Sequence, residues 1–548
     1  MDTRRLILLF VFGFSLIMLW NAWQRKNAPA PVPAAQTQTG KAAGDASVPT
    51  PNAAAPAATS AVPATAAPAA ATPQTPRATV KTDLFEAVVS AQGGDLVHLE
   101  LFKLHAIDDM TKNFVLIDEA NQYAAQSGLI GAGLPNHKTT WQLPAGELAL
   151  KDGENELRLR MTAAGENGVQ VAKTYVFHRG SYMIDVEYEI TNNGSAAVTP
   201  SAYFQFVRDG KDPVGGTTRM VSTFTGPAFY TEEHKYQKIN FSDIAKGKDK
   251  HADKANDGWV GMVQHYFVSA WLPKGTEQRE FYTRKLGEDF FSAGVIVPMA
   301  PVVPKATEKL DVPLYVGPQD QDNLKKIAPG LDLVVDYGWL TVIAAPLFWV
   351  LEMLHKYLGN WGWAIIGLTV LLKLIFFPLS AASYKSMAKM RLLTPKLTKL
   401  KETFGDDRQR LNQEMMELYK KEKVNPLGGC LPILVQIPVF IALYWVLLGS
   451  VEMRQAPWLG WIMDLSSKDP YYVLPLIMGA TMLIQTRLNP TPPDPIQAKI
   501  MWIMPIVFTG MFFMFPAGLV LYWTVNNVLS IAQQWQINRM IEASGLKK

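Results

Sequence analysis

The sequence predicts a multi-pass α-helical membrane protein, with five transmembrane helices and both termini inside, that carries a large exported antiparallel β-sandwich and a cytoplasmic helical hairpin. Three observations carry that expectation. Apolar runs recur at about 361–379, 431–449, 471–487 and 500–530, each near or above the roughly 17–25 residues a membrane helix needs. Upstream, from 80 to 333, apolar and polar residues alternate between glycine-bearing turns, the mark of strands with one wet face. Between 383 and 424 lie two charged amphipathic runs that are too polar to cross a bilayer.

Residues 1–26 pair a basic start (Arg4, Arg5) with an apolar run from Leu6 to Trp23. This reads as an uncleaved signal anchor, with a cleavable signal peptide as the rival, and either one exports the chain downstream of it. Residues 27–79 are Ala, Pro, Thr and Gln with almost no large apolar side chains. Such a stretch buries too little surface to fold and is expected to be a disordered tether. In the sandwich, "LFEAVVSAQGGDLVHLELF" reads as strand, Gly-Gly turn, strand, and "TYVFHRGSYMIDVEYEITNNG" repeats it with a turn at Arg179-Gly180. Residues 334–358 hold the one ambiguous apolar run, "GWLTVIAAPLFWVLEMLHKYL". Charge bias decides it. Between Lys385 and Lys423 there are eleven Lys/Arg against six Asp/Glu, which marks that loop as cytoplasmic. A span at 338–358 would export the basic loop, so the run is expected to lie in the interface as an amphipathic helix. Residues 359–540 then form the helical core, including the hairpin 383–424, and 541–548 a cytoplasmic tail. The fourth run is either one long tilted helix or two shorter ones broken at Pro516.

Composition narrows the function. A net charge of +4 on 548 residues predicts no special partner and no DNA binding. The single cysteine, Cys430, excludes an intramolecular disulfide and a cysteine metal cluster. No HExxH, GxSxG or P-loop pattern occurs, and the histidines of the β region are scattered singly, so no enzyme activity, metal or cofactor is expected.

The polar residues inside the apolar runs are more informative. Lys373 sits within "LTVLLKLIFF", five residues before Pro378. A lysine there either snorkels to the interface or lines a water-filled cavity open to the cytoplasm. Thr369, Gln436, Gln485 and the Asn526-Asn527 pair could join it, although such residues often only glue helices together. None of the five expected spans contains Asp or Glu, which argues against an ion-coupled transporter, since that normally needs an intramembrane carboxylate. In the hairpin, Lys385, Lys389, Arg391, Lys396, Lys399 and Lys401 present many mobile cations, suited to ribosomal RNA or acidic partners if the loop is more than a spacer.

The stretches "SMAKMR", "EKVNPLGGCLPILVQIPVFIALYW", "GSVEMRQAPW", "DPYYVLP" and "FPAGLVLYW" resemble the membrane core of the YidC/Oxa/Alb family of membrane protein insertases. Upstream, "AQSGL", "GWVGMVQHYFVSAW" and "VGPQDQDNLKKIAPGLDLVVDYGWL" are similar to its Gram-negative form. That resemblance implies a periplasmic β-supersandwich and a bacterial inner-membrane location. It also implies a groove open to cytoplasm and lipid, where a positive charge receives the polar part of an incoming protein. By motif position the charge is Lys373, Thr369, Gln436 and Trp523 fall on groove-lining positions, and Tyr522 lies beside them. Lysine replaces the arginine, and Trp523 the tyrosine, that such members often carry. The charge survives, but the guanidinium's planar fork does not. The implied partners are nascent inner-membrane proteins, the Sec translocon, the ribosome through the hairpin and tail, and membrane lipids. A channel or transporter, and a membrane-tethered periplasmic carbohydrate-binding protein, are the alternatives.

Overall fold

The computed structural model describes residues 48–49, 75–107, 109–144, 146–213, 223–404, 407–422, 431–489 and 495–543. The expected anchor 1–26, most of the linker 27–79, Cys430 and most of the tail 541–548 lie outside the described residues.

Two sheets make the β-domain, one of ten strands and one of eight. Both contribute to a single core, with Phe85, Phe204 and Val295 from the larger sheet meeting Tyr175, Phe177 and Val186 from the smaller. The pairing is antiparallel throughout, apart from a two-residue parallel contact between Arg77–Lys81 and Leu148–Ala149. The strand Met183–Asn192 alternates strictly between buried and half-buried positions, as its apolar-polar spelling requires. The first strand begins at Arg77, three residues ahead of the expected boundary, because Ala78 and Val80 pair with Val89 and Ala87 and are fully buried. Gly93 and Gly94 turn the chain between Phe85–Ser90 and Leu96–His105, both at positive φ (75° and 59°). A Cβ at Gly94 would lie 2.6 Å from the Met161 sulfur, so no other residue fits there without rearrangement.

Eight longer helices complete the described chain: α1 (Thr341–Leu358), α2 (Trp361–Ile375), α3 (Phe377–Phe404), α4 (Arg408–Lys421), α5 (Leu431–Gly449), α6 (Val473–Leu488), α7 (Pro495–Phe512) and α8 (Ala517–Ala543). Gly359, at φ 67°, ends α1 in the left-handed conformation, and the Asn360 side chain caps α2 by accepting from the Trp363 N–H at 3.2 Å. The α3–α4 pair is the expected hairpin. Asp407 caps α4, and Leu393 and Leu397 pack against Met415, Leu418 and Tyr419.

The apolar run expected at 361–379 is broken at Phe376. There α2 passes into α3 with a bend of 60°, because a proline is tolerated in a helix's first turn but not in its interior. The last run is two helices, broken at 513–516. The first free N–H groups of α8 are taken up by the connection between α5 and α6, Ala517 donating to the Ser467 carbonyl at 2.7 Å and Gly518 to that of Leu465 at 2.9 Å. Such orphan donors need partners wherever a helix starts out of water. Among the described residues no single helix is long and apolar enough to cross a membrane alone, whereas α2 with Phe377–Ser386 qualifies as a bent pair.

Helix α6 crosses α7 at Gly479, where an added Cβ would sit 2.2 Å from the Thr509 hydroxyl. That hydroxyl is itself tied to the Pro505 carbonyl at 2.6 Å and has little room to yield. Gly479→Ala is therefore expected to destabilise the detergent-solubilised chain by about 1–3 kcal/mol, read as a lowered thermal midpoint. Thr509→Ala in the same chain should restore most of it, and failure to do so would refute the contact.

The β-domain and the helices share an apolar cluster that runs from Trp259 and Val268 through Leu347 and Phe348 to Val446 and Tyr522. Polar contacts pin the junction. The Gln455 side chain donates to the His105 carbonyl at 2.9 Å and accepts from its N–H at 3.0 Å, and His265 meets the Leu448 carbonyl at 3.0 Å.

Candidate functional site: a polar recess among the helices

The recess lies where α2, α3, α5 and α8 converge. Helix α2 contributes Thr369 and Lys373, four residues apart and so on one face. Phe376 and Ser380 flank the bend, α5 supplies Gln436, and α8 supplies Tyr522 and Asn526.

The Lys373 ammonium donates to the Ser530 hydroxyl at 2.7 Å, and that hydroxyl donates to the Asn526 carbonyl at 2.7 Å. Gln436 donates to the Asn526 side-chain oxygen at 2.8 Å. Gln533 holds the Lys373 carbonyl at 3.2 Å. Among the described residues, no acidic side chain lines the recess. An ammonium has three donors, so a hydroxyl on one of them leaves both charge and hydrogen-bonding capacity available to a guest. The Thr369 hydroxyl is spent on the Ile365 carbonyl at 2.7 Å, so its contribution is shape more than polarity.

Of the residues singled out in the sequence, Lys373, Thr369, Gln436, Tyr522 and Asn526 come together here. Trp523 does not line the recess. Its ring packs on Phe440 and Phe512, with centroids at 4.8 and 5.6 Å. Neighbours on a helix point about 100° apart, and of the two Tyr522 is turned to the recess, although both rings meet Phe440. Asn527 turns to α6, donating to the Thr481 hydroxyl at 3.3 Å. Sequence reasoning missed Ser530 and Gln533. With Asn526 they stand at i, i+4 and i+7, a spacing that marks a polar stripe on α8. In the hairpin, Lys385 and Lys399 are exposed and Lys396 pairs with Glu422 at 2.6 Å. The side chains of Lys389, Arg391 and Lys401 lie outside the described residues. Among the described residues no group of His, Cys, Asp and Glu could hold a metal ion.

Residues 77–350 match the family described as YidC periplasmic domain, and residues 353–544 that described as 60Kd inner membrane protein. A protein of Aromatoleum aromaticum named membrane protein insertase YidC is 62% identical over 551 residues, covering 100% of both chains. The chain belongs to the YidC family. Another member, of the same name in Dechloromonas aromatica, is 60% identical over 546 residues, covering 100% of this chain and 98% of its own. A solved structure described as an active YidC insertase with the first transmembrane domain resolved aligns with 82% of this chain and 90% of its own, at 18% identity and a TM-score of 0.39. The expected periplasmic all-β domain and helical C-terminal region are thus those of a YidC protein.

Proposed function

We propose that the recess around Lys373 is the entry groove of this chain, a non-enzymatic membrane protein insertase of the bacterial inner membrane with its β-domain in the periplasm. The observation that carries the reading is a lysine held by a hydroxyl, with no carboxylate among the described residues that line the recess, between apolar helices. Such a charge accepts the polar, carbonyl-rich or acidic part of a client for as long as its apolar segment needs to slide into lipid. Unsatisfied backbone groups in hydrocarbon cost several kcal/mol each, and a polar recess shortens the path over which a client carries that cost. The apolar segment supplies the driving force.

The topology we favour has six crossings: the N-terminal anchor, then α2, α5, α6, α7 and α8, with α1 in the interface. Five crossings would leave the two termini on opposite sides, so five spans and two inside termini cannot both hold. The break at 513–516 supplies the missing crossing. It puts that turn on the same side as the α5–α6 connection, in keeping with the Ala517–Ser467 bond. The hairpin then faces the cytoplasm, where Lys385 and Lys399 are free to meet a ribosome, and clients arrive with or without the Sec translocon.

The test is insertion of a small single-span protein into liposomes carrying the purified chain. Lys373→Ala is expected to lower insertion about tenfold, the equivalent of ~1.4 kcal/mol and at the lower edge of a charged hydrogen bond's worth. Lys373→Arg should retain most activity. Full insertion by the alanine variant would return Lys373 to an interface-seeking side chain.

A further inference from the structure

We propose that the outer end of the helical core carries a lipid-embedded seat, built jointly by the β-domain loop that bears Ile107 and Met110 and by the α5–α6 connection, residues 450–472. Its occupant is the acyl-chain margin of the periplasmic leaflet. The proposal rests on the topology given above.

Among the described residues of the β-domain, 75–335, four large apolar side chains are exposed: Ile107, Met110, Val303 and Leu333. Two of the four share the loop that touches the helical core. That loop is fixed there, with His105 bonded to Gln455 through both backbone groups and the Met110 sulfur 3.5 Å from the Gln455 amide. Beside it the α5–α6 connection exposes Leu459, Trp461, Met463 and Tyr471, and the α7–α8 turn exposes Met514 at 72%. Scattered apolar residues are ordinary on a surface, whereas a run of them on adjoining loops marks a contact.

The polar groups of the connection are arranged the other way. Asp464 accepts from the Gln455 and Ser466 N–H groups and from the Ser466 and Ser467 hydroxyls, all within 2.9 Å. Asp469, 1% exposed, accepts from the Tyr471 and Leu474 N–H groups at 3.0 and 2.7 Å and from the Trp461 indole at 3.0 Å. A loop built for water would solvate its carboxylates and hide its apolar side chains. This one buries Asp469 and half-buries Asp464, and although Ile462 and Leu465 are hidden and Lys468 is exposed, it leaves Leu459, Trp461, Met463 and Tyr471 on the surface. The Trp461 detail is decisive, because an interfacial tryptophan normally keeps its N–H toward water. Here the N–H is satisfied from within, so the ring can enter hydrocarbon without an orphan donor. The surface also continues onto the exposed Leu476 and Ile477 of α6, so acyl chains that meet the helix meet the seat as well. Interfacial elements of this kind lie about 5–10 Å into the headgroup and acyl boundary.

The test places a nitroxide at Met463→Cys or Met110→Cys in the full chain, with Cys430→Ala removing the native thiol, in vesicles of phosphatidylethanolamine and phosphatidylglycerol. Collision with oxygen, which concentrates in lipid, is compared with collision with a water-soluble nickel chelate. Leu476→Cys and Val303→Cys are the lipid and water references. Both test sites are expected to follow Leu476. If both follow Val303, the surface awaits a protein partner and the proposal is overturned. If Met463 alone follows Leu476, the joint seat is overturned, because the β-domain loop then stays in water. A water-like Leu476 would overturn the span beneath it and the seat with it.

Discussion

Replacing Lys173 with methionine is expected to cost the β-domain about 3–5 kcal/mol at alkaline pH, where the Asp95 carboxyl of the parent is ionised, the usual penalty for stranding one member of a buried ion pair, and much less at neutral pH and below. Lys173 is fully buried, its ammonium 3.9 Å from the Asp95 carboxylate and within reach of the Gly93 and Ser127 carbonyls at 3.3 and 3.4 Å. It also lies over the Trp141, Tyr175 and Tyr188 rings at 5.3–6.0 Å. Burial pushes the Asp95 acid up to about 7, against the pull of the Lys173 charge. A carboxyl whose folded value is raised holds a proton that the unfolded chain releases, so its contribution favours folding below the unfolded value and is lost as pH climbs through the folded one. Without Lys173 the main lowering influence is gone and the Asp95 value rises further. Denaturant midpoints of the full chain in detergent, followed by hydrogen exchange in the strand Val169–His178, should show variant and parent converging below the Asp95 value and parting above it. Adding Asp95→Asn should close most of the gap. A deficit independent of pH would mean that Lys173 acts by packing alone.

The second large effect is expected at Arg454, the cation between sandwich and helices. Its guanidinium is buried over Phe114, Phe267 and Tyr266 at 5.1, 5.4 and 5.6 Å, and it donates to the His105 carbonyl at 2.5 Å. A desolvated cation–π contact is worth about 2 kcal/mol and a charged hydrogen bond about 1.5–3 kcal/mol. These overlap on one side chain, so Arg454→Ala should cost about 3 kcal/mol. The loss should show as faster protease cleavage between 319 and 340 while the strands of the sandwich keep their exchange protection. Arg454→Lys keeps the charge without the flat, stackable face and should fall between. Unchanged cleavage in the alanine variant would remove Arg454 from the junction.

How much of this could be read in advance depends on how local each cause is. Strand alternation in Met183–Asn192 and the Gly93-Gly94 turn are spelled within a few residues, and the fold obeys that spelling. Thr369 and Lys373 share a face by spacing alone. Ser530, however, is 157 residues from Lys373, and Gln436 is 90 from Asn526. No periodicity reaches across such distances, so the recess is a property of packing. The same holds for the split of the last apolar run. Pro516 hinted at it, but the carbonyls that receive the first N–H groups of α8 come from Leu465 and Ser467, on another loop. Motif position put Trp523 on the groove with Tyr522 beside it, whereas in the fold Tyr522 lines the recess and Trp523 packs on Phe440 and Phe512.

The bend at Phe376 carries a spatial consequence. Helix α3 is 28 residues long, an arm of about 42 Å at 1.5 Å per residue, whereas Lys373 stands three residues behind the pivot, on an arm of about 4.5 Å. The hairpin's tip thus stands about nine times as far from the bend as Lys373 does, so a partner held at the tip is kept well clear of the recess.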